Sequence, residues 1–473
     1  MGKYGQIFAF PLYKSKKEWY NKLLKAKFFE GGFGMRESYR VGLYTLGCKV
    51  AQYETEAVCE AFEKMGFIRT DFEDVCDVYV INTCTVTAES NRKCRQMIRR
   101  AIKRNPDALV MVMGCYSQTT PKDILKIEGV SYVSGTADKL LLPKRAAELL
   151  EKRGKGEKAL PVCEVSPLEN AVFEDMRIEK TERTRAYVKI EDGCDCRCTY
   201  CAIPNARGPV RSKPMPDILE EIKALSEKGT KEIVLTGIEI ASYGKDLGKV
   251  RLIDLLEEIE RAGIAERIRL GSITPEILTE DFILRLKNIS CLAPHLHISM
   301  QSGSDTILRA MKRRYNVKMA ERSLSLLRTH IPDIMFTCDM IAGFPGETEE
   351  NHNETASFMK RAEFLNAHVF TYSKRDNTPA AYYDGQLEES VKHERCLALT
   401  ALQKEITDGI LKRLTEEKKE MSAILETLDG NMITGHTASF VEIKAECTED
   451  LRGQMRPVLP ISHENGVLFC KIL

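Results

Sequence analysis

No apolar run in this chain of 473 residues approaches the ~20 that a membrane-spanning helix needs. No membrane partner is therefore expected. Charge of one sign is also missing: 70 Lys and Arg stand against 69 Asp and Glu, a formal net charge of +1. That balance excludes a chain-wide nucleic-acid signature, so any polyanion site must be a local patch. The first 34 residues show no apolar core ending in a small-residue cleavage site, so they do not read as a secretory signal. The 16 cysteines accordingly read as reduced thiols and metal ligands of a cytoplasmic protein, not as disulfides.

What is present is concentrated first in one loop. Cys194, Cys198 and Cys201 form Cys-x3-Cys-x2-Cys. Three thiolates on a short loop can hold three corners of a cubane iron–sulfur cluster and leave the fourth iron open to a small molecule. A zinc site would normally need a fourth Cys or His close by, and the neighbouring segments supply no obvious one. The plainer alternative is a set of reduced structural thiols. Cys196 creates other triplets, but the spacing closes without it and it reads as a bystander.

The length suggests about three domains. Residues 1–34 are basic, aromatic and without clear period, and read as an N-terminal extension, with Met35 as a candidate start. Residues 35–150 alternate strands (Val41–Leu46, Val78–Ile81, Leu109–Met113) with helices (Thr55–Met65, Glu89–Lys103, Lys139–Leu150). That pattern predicts an open α/β domain with a mainly parallel sheet. Each strand runs into a loop carrying a cysteine: Cys48, Cys84 and Cys115. Ligands collect at the carboxyl ends of such strands, so a second three-thiolate site can form there. Small buried cysteines at strand ends are the other reading.

Residues 151–183 read as a solvated linker. Residues 184–407 repeat strand–helix units: Ala186–Ile190, Glu232–Thr236, Arg267–Leu270, His295–Met300, Ile334–Ile341 and Ala367–Tyr372, with helices between. Six parallel units predict a partial (βα)6 barrel whose ligands lie at the C-terminal face. The strand-end residues Gly237, Glu239, Gln301, Ser302, Gly303, Asp339 and Gly343 are candidates for holding a small-molecule cofactor, with turn chemistry as the alternative. Glu239 and Gln301 are also candidates for substrate contact. After a charged helix near Glu394–Lys419, residues 408–473 read as a small all-β barrel, in which Phe440 is expected to be core, not a stacking platform. The clearest basic segment is a helix carrying Arg92, Lys93, Arg95, Arg99, Arg100, Lys103 and Arg104, either a phosphate-binding face or a solvated one. Cys59, Cys76, Cys94, Cys163, Cys291, Cys338, Cys396, Cys447 and Cys470 read as packing residues, with Cys94 open to exposure.

The cysteine loop resembles the radical S-adenosylmethionine (SAM) superfamily. Together with Cys48, Cys84 and Cys115 it resembles the radical SAM methylthiotransferase family in particular. The resemblance runs from about residue 40 to 473. It includes Thr45-Leu46-Gly47-Cys48-Lys49-Val50, Ile81-Asn82-Thr83-Cys84, Met113-Gly114-Cys115, Ala206-Arg207-Gly208, His297 to Ser304, and Gly343 to Thr348. Cys48-Lys49-Val50 followed by Gln52-Tyr53-Glu54 looks like the branch acting on threonylcarbamoyladenosine at tRNA position 37.

The resemblance implies two [4Fe-4S] clusters, one on Cys194, Cys198 and Cys201 that binds SAM and one on Cys48, Cys84 and Cys115. It implies reductive SAM cleavage to a 5′-deoxyadenosyl radical, hydrogen abstraction from C2 of the adenine, and transfer of a methylated sulfur to that carbon. The SAM candidates are the seven strand-end residues above. The implied partners are a tRNA anticodon stem-loop, an electron donor such as flavodoxin or ferredoxin, and a sulfur donor, and the implied C-terminal barrel is an RNA-binding TRAM domain. Ala51 and Asn205 depart from the family pattern, which usually has Asn and Tyr there. The alternatives are a methylthiotransferase acting on isopentenyladenosine or on a ribosomal-protein aspartate, and a non-catalytic RNA-binding iron–sulfur protein.

Overall fold

A computed structural model describes residues 38–157 and 160–473; the expected extension at 1–34 lies outside the described residues. The first layer is a six-stranded parallel sheet. Its strands are β1 (Arg40–Thr45), β2 (Ile68–Thr70), β3 (Val78–Thr83), β4 (Leu109–Gly114), β5 (Val130–Ser134) and β6 (Val162–Glu164), in the order β2-β1-β3-β4-β5-β6. Every residue of β3 and β4 is buried, because helices cover both faces. Ile98 and Ala101 of helix Ala88–Arg104 pack on one face. Phe62 of helix Lys49–Lys64 and Ala146 of helix Leu142–Gly154 pack on the other.

The segment 151–183, expected as a solvated linker, is a structural seam instead. It supplies edge strand β6, and it buries Met176 and Ile178 in the core of the next domain. Polar composition hid this, because the anchoring runs through backbone groups. Tyr53 Oη and Lys213 Nζ both donate to the Met176 carbonyl, and the Ile178 N–H donates to Glu221.

The second domain is a curved parallel sheet. Its main strands are β7 (Arg185–Lys189), β10 (Glu232–Thr236), β11 (Arg267–Leu270), β13 (His295–Gln301), β14 (Met335–Ala342) and β15 (Asn366–Thr371). A short pair, β8 (Glu191–Asp192) and β9 (Arg211–Ser212), flanks the cysteine loop. At Gly271 the chain bends from β11 into β12 (Ser272–Ile273), which pairs with β13 and joins the two halves into a six-stranded partial barrel. Strand alternation sorts the residues. Val188, Leu235, Ile268, Ile298 and Cys338 point outward into one core with the helices. The alternate residues Arg185, Lys189, Glu232, Arg269, His295, His297 and Asp339 turn to the barrel interior, which is therefore polar.

Helix Glu389–Glu417 runs straight through the expected 407/408 boundary and seats Ile410 and Leu411 in the third domain's core. That domain is a closed barrel of β16 (Met421–Asp429), β17 (Met432–Thr437), β18 (Glu442–Glu446), β19 (Met455–Glu464) and β20 (Val467–Ile472), ordered β16-β17-β18-β20-β19. It fits a TRAM-like domain. Strand β19 was not legible in sequence: Pro457 and Pro460 argue against a strand, and they are accommodated beside an irregularity in register between Pro460 and Ser462.

Candidate active site

Three strand ends converge as the topology requires. Thr83 and Gly114 are register partners, so Cys84 and Cys115 follow neighbouring strands at the same level. The Leu46 N–H donates to the Asn82 carbonyl, which brings the loop carrying Cys48 alongside. A Cβ on Gly47 would stand 3.4 Å from the Cys84 Cβ, and one on Gly114, at φ +108°, would meet the Thr83 carbonyl oxygen at 2.5 Å. Glycine at both positions lets backbone and thiols close up. Burial pushes Cys84 up and Cys115 to about 11. A metal bound by these two thiols would have to displace their protons.

Arg207 closes this site from the second domain. Its Nε donates to Cys115 Sγ at 3.2 Å, and its Nη atoms donate to Glu54 at 2.5 and 3.1 Å. Glu54 also accepts from Lys189 at 2.7 Å and pairs with Lys139 at 3.1 Å, while Asp192 pairs with Lys189, Arg207 and Arg211. All six side chains are buried. Four cations face two carboxylates beside the thiols, a positive surplus suited to an anionic cluster. Sequence periodicity does not reveal this network, because its members lie in separate elements. Cys94, expected as packing and open to exposure, is fully buried: its Sγ lies 3.4 Å from the Cys84 backbone nitrogen, from which it accepts.

The second triad sits just past β8. Arg313 Nη1 donates to Cys198 Sγ at 3.1 Å, and its Nε donates to Tyr315 Oη at 2.8 Å. Cys196 stands against Cys194, whose Sγ accepts from the Cys196 N–H at 3.5 Å, so it borders the triad directly. Burial raises Cys201 to about 12. Among the described residues no group of three or more Cys, His, Asp or Glu side chains is close enough to hold a metal ion. Cys194, Cys198 and Cys201, on one loop, are the residues that could hold a cubane cluster, whose three thiolates lie on different irons.

The seven expected cofactor residues divide. Glu239 borders the cysteine loop: it is half-buried, its enclosed Oε1 has no partner among the described residues, and burial followed by the charge of Cys196 raises it to about 8. Gly237 packs on Glu191, whose Oε2 accepts from the Glu239 N–H at 2.8 Å. Gln301 ends β13 with φ +70°, an uncommon backbone for a side-chain-bearing residue. Asp339 lies deeper in the barrel, 3.1 Å from His297 Nε2. Ser302 and Gly303 instead bind Thr355 of helix Glu349–Ala362, and Gly343, at φ +75°, leaves room for Lys392. Those three serve the joint between sheet and helices.

The lower barrel is cationic. Glu232 accepts from Arg269 at 2.7 and 3.1 Å and pairs with Arg185 and Arg267. Phe440, expected as core, projects from the third domain at φ +73° and stacks on His295 and His436 at 4.6 and 4.9 Å, with Arg269 and Arg185 against its ring. It is a peg between domains. On the basic helix, Arg92 pairs with Glu89, Arg100 and Arg104 pair with Glu73, and Arg95 rests on Tyr116. Among the described residues Arg99 and Lys103 form no ion pair, and they line a groove of about 430 Å³ with Lys126, Asp123 and Glu128.

A partial (βα)6 barrel with this cysteine loop defines the radical SAM class, which carries a [4Fe-4S] cluster and SAM. The Radical SAM superfamily model matches residues 188–359, and the model for Uncharacterized protein family UPF0004 matches 40–135. A solved radical S-adenosylmethionine methyltransferase, TsrM from Kitasatospora setae, shares the fold with TM-score 0.54 and 17% identity, over 73% of this chain and 77% of its own. The chain is 41% identical to Threonylcarbamoyladenosine tRNA methylthiotransferase MtaB of Bacillus subtilis, over 88% of this chain and 92% of that protein. It is 35% identical to the Thermotoga maritima protein of the same name, over 91% and 96%. It is also 32% identical to tRNA-2-methylthio-N(6)-dimethylallyladenosine synthase of Acetivibrio thermocellus, over 87% and 86%. The chain belongs to the radical SAM tRNA methylthiotransferase family.

Proposed function

We propose that this protein adds a methylthio group to C2 of N6-threonylcarbamoyladenosine at position 37 of tRNA, holding one [4Fe-4S] cluster on Cys194, Cys198 and Cys201 and a second on Cys48, Cys84 and Cys115. The single observation that carries the two-site reading is Arg207. It lies six residues beyond Cys201 in sequence, yet it touches Cys115 of the other triad. That contact ties the segment after one triad to a thiol of the other and supports reading them as one site.

An aromatic C–H is too weakly acidic for a general base, and the bound clusters and SAM supply the radical and the sulfur that replace one. The chain's own residues have other tasks. Glu239, with its unpartnered oxygen beside the cysteine loop, would receive the SAM ammonium. Arg313 and Arg207 hold one thiol of each triad with charge-assisted hydrogen bonds. Phe440 of the third domain stands against His295 in the lower barrel. The substrate base must leave its stack to enter. The partners in this reading are a tRNA anticodon stem-loop, a flavodoxin- or ferredoxin-type reductant and a sulfur donor, in the cytoplasm. Among the described residues no helix is long and apolar enough to cross a membrane.

Two measurements test the reading. Anaerobically loaded wild type should hold about eight irons, and a triple Ala variant at Cys48, Cys84 and Cys115 about four. Mass spectrometry of digested tRNA from a deletion strain should lose the methylthio-threonylcarbamoyl nucleoside alone. A wild-type ceiling of four irons, or loss of the methylthio-isopentenyl nucleoside instead, overturns the proposal.

A further inference from the structure

Strand β15 leaves the barrel as the segment 372–381, and this segment bonds to both cysteine loops. On the barrel side, the Ala380 N–H donates to the Thr199 carbonyl at 2.9 Å, between Cys198 and Cys201. Tyr372 and Ala380 pack with Tyr200 of the same loop. On the first-domain side, Arg375 Nη2 donates to Thr85 Oγ1 at 2.9 Å, next to Cys84, and Ser373 Oγ accepts from the Ala88 N–H at 3.2 Å. Asn91 completes the link. Its amide oxygen accepts from the same Nη2 at 3.0 Å, and its amide nitrogen donates to the Cys84 carbonyl at 3.1 Å. Between the two sides the chain makes a tight turn. The Arg375 carbonyl accepts from the N–H and the Oγ1 of buried Thr378, at 2.9 and 2.8 Å, which fixes the backbone from which the guanidinium extends. Both acceptors of that guanidinium are neutral, and among the described residues Arg375 forms no ion pair. A half-buried cation kept for two neutral partners fits a place where an anionic group binds alongside.

We propose that this strap is the joint that sets the distance between the two cysteine loops, with Arg375 as its positioning residue. The inference rests on the two-site reading above and deepens it. Arg207 ties the barrel to Cys115. The strap adds a tie at Cys84 from the barrel's last strand. A base held between a radical source and a sulfur source must meet both, and a misplacement of about 1 Å can cost about 100-fold in rate. Without Arg375 the Cys84 loop is loosened against the other loop. SAM is still cleaved, but fewer cleavages end in sulfur transfer. Arg375 acts through Thr85 and Asn91 and takes no part in either step.

The test uses anaerobically loaded, full-length protein and an anticodon stem-loop carrying threonylcarbamoyladenosine at position 37. Wild type, Arg375→Met, Arg375→Lys and Thr85→Val are compared in bound iron, in the magnetic interaction between the reduced clusters seen by EPR, and in 5′-deoxyadenosine formed per methylthio product. Arg375→Met should keep about eight irons, weaken the interaction, and raise the 5′-deoxyadenosine ratio about 10-fold or more. Arg375→Lys, which retains the charge and a donor, should stay closer to wild type. A merely structural role would lower the thermal midpoint and move neither the interaction nor the ratio, and that result would overturn the joint while the two-site reading stands. A wild type that binds only about four irons would overturn the two-site reading itself. If Arg375→Met does not load iron, Thr85→Val decides, because it removes the acceptor and keeps the side chain's shape. It should raise the ratio, and a wild-type ratio would overturn the joint.

Discussion

Arg207 Nε donates to Cys115 Sγ across 3.2 Å, joining the segment that follows the second domain's cysteine loop to a thiol of the first domain. The same guanidinium grips Glu54 with both Nη atoms. One side chain therefore fixes a thiol, a carboxylate and the seam between two domains. Arg313 does the equivalent for Cys198, so each triad has one thiol that accepts from a guanidinium.

Arg207→Gln should leave Glu54 and Asp192 short of a partner in a buried setting, at a cost of about 3–5 kcal/mol. The expected outcome is a lower thermal midpoint and loss of the iron bound by the first domain, with the SAM-binding iron retained. Arg207→Lys should recover stability more than cluster retention, because Lys lacks the fork that reaches both groups. Metal analysis and thermal unfolding check this; a variant with wild-type iron and midpoint would refute it.

Acid should open the seam. Burial pushes the Glu54 carboxyl up, but Arg207, Lys139 and Lys189 outweigh it and hold it well below the usual carboxylate range. With the folded value depressed, its contribution is full above the ordinary value of about 4.3 and fades as pH falls below it. Denaturant unfolding across that range should show a steeper loss of stability for wild type than for Glu54→Gln. Parallel curves would show that Glu54 is not the group responsible.

RNA binding should respond to Arg99 and Lys103 far more than to Arg100, which Glu73 already neutralises. Reversing Arg99 and Lys103 to Glu should weaken tRNA affinity and reduce the slope of log K against log salt by about 2, the value for two lost phosphate contacts. Filter binding at several salt concentrations provides the measurement. An unchanged slope removes the helix Ala88–Arg104 from the RNA interface.

Ala51 is buried beside the first triad, and its carbonyl accepts from Asn82 Nδ2 at 3.0 Å, while Asn82 Oδ1 has no partner. Ala51→Asn brings a donor into that neighbourhood and should hold first-domain iron at or above the wild-type level. A marked drop in iron would mean that packing around Gly47 has closed the space. At the other departure from the family pattern, Asn205 has found its own bond: its Nδ2 donates to the Asn377 carbonyl at 3.0 Å.

The repeating strands and helices were legible because their period is local. Glu232–Thr236, Leu252–Ala262 and Glu349–Ala362 begin and end as the apolar pattern places them. Helix Lys49–Lys64 starts six residues before the expected Thr55, because the Gly47 turn releases the chain straight into it. The seam at Met176 and Ile178 and strand β19 escaped for the opposite reason. Backbone anchoring and tolerated prolines leave no periodic trace.

By itself the sequence determined the βα repeat and where the loop and strand-end cysteines stand, and the family resemblance those motifs carry supplied the expected chemistry. Only the tertiary structure decided what surrounds them. Arg207 against Cys115 and Phe440 stacked on His295 join residues far apart in the chain, and such contacts depend on how separate elements pack, which no local pattern encodes.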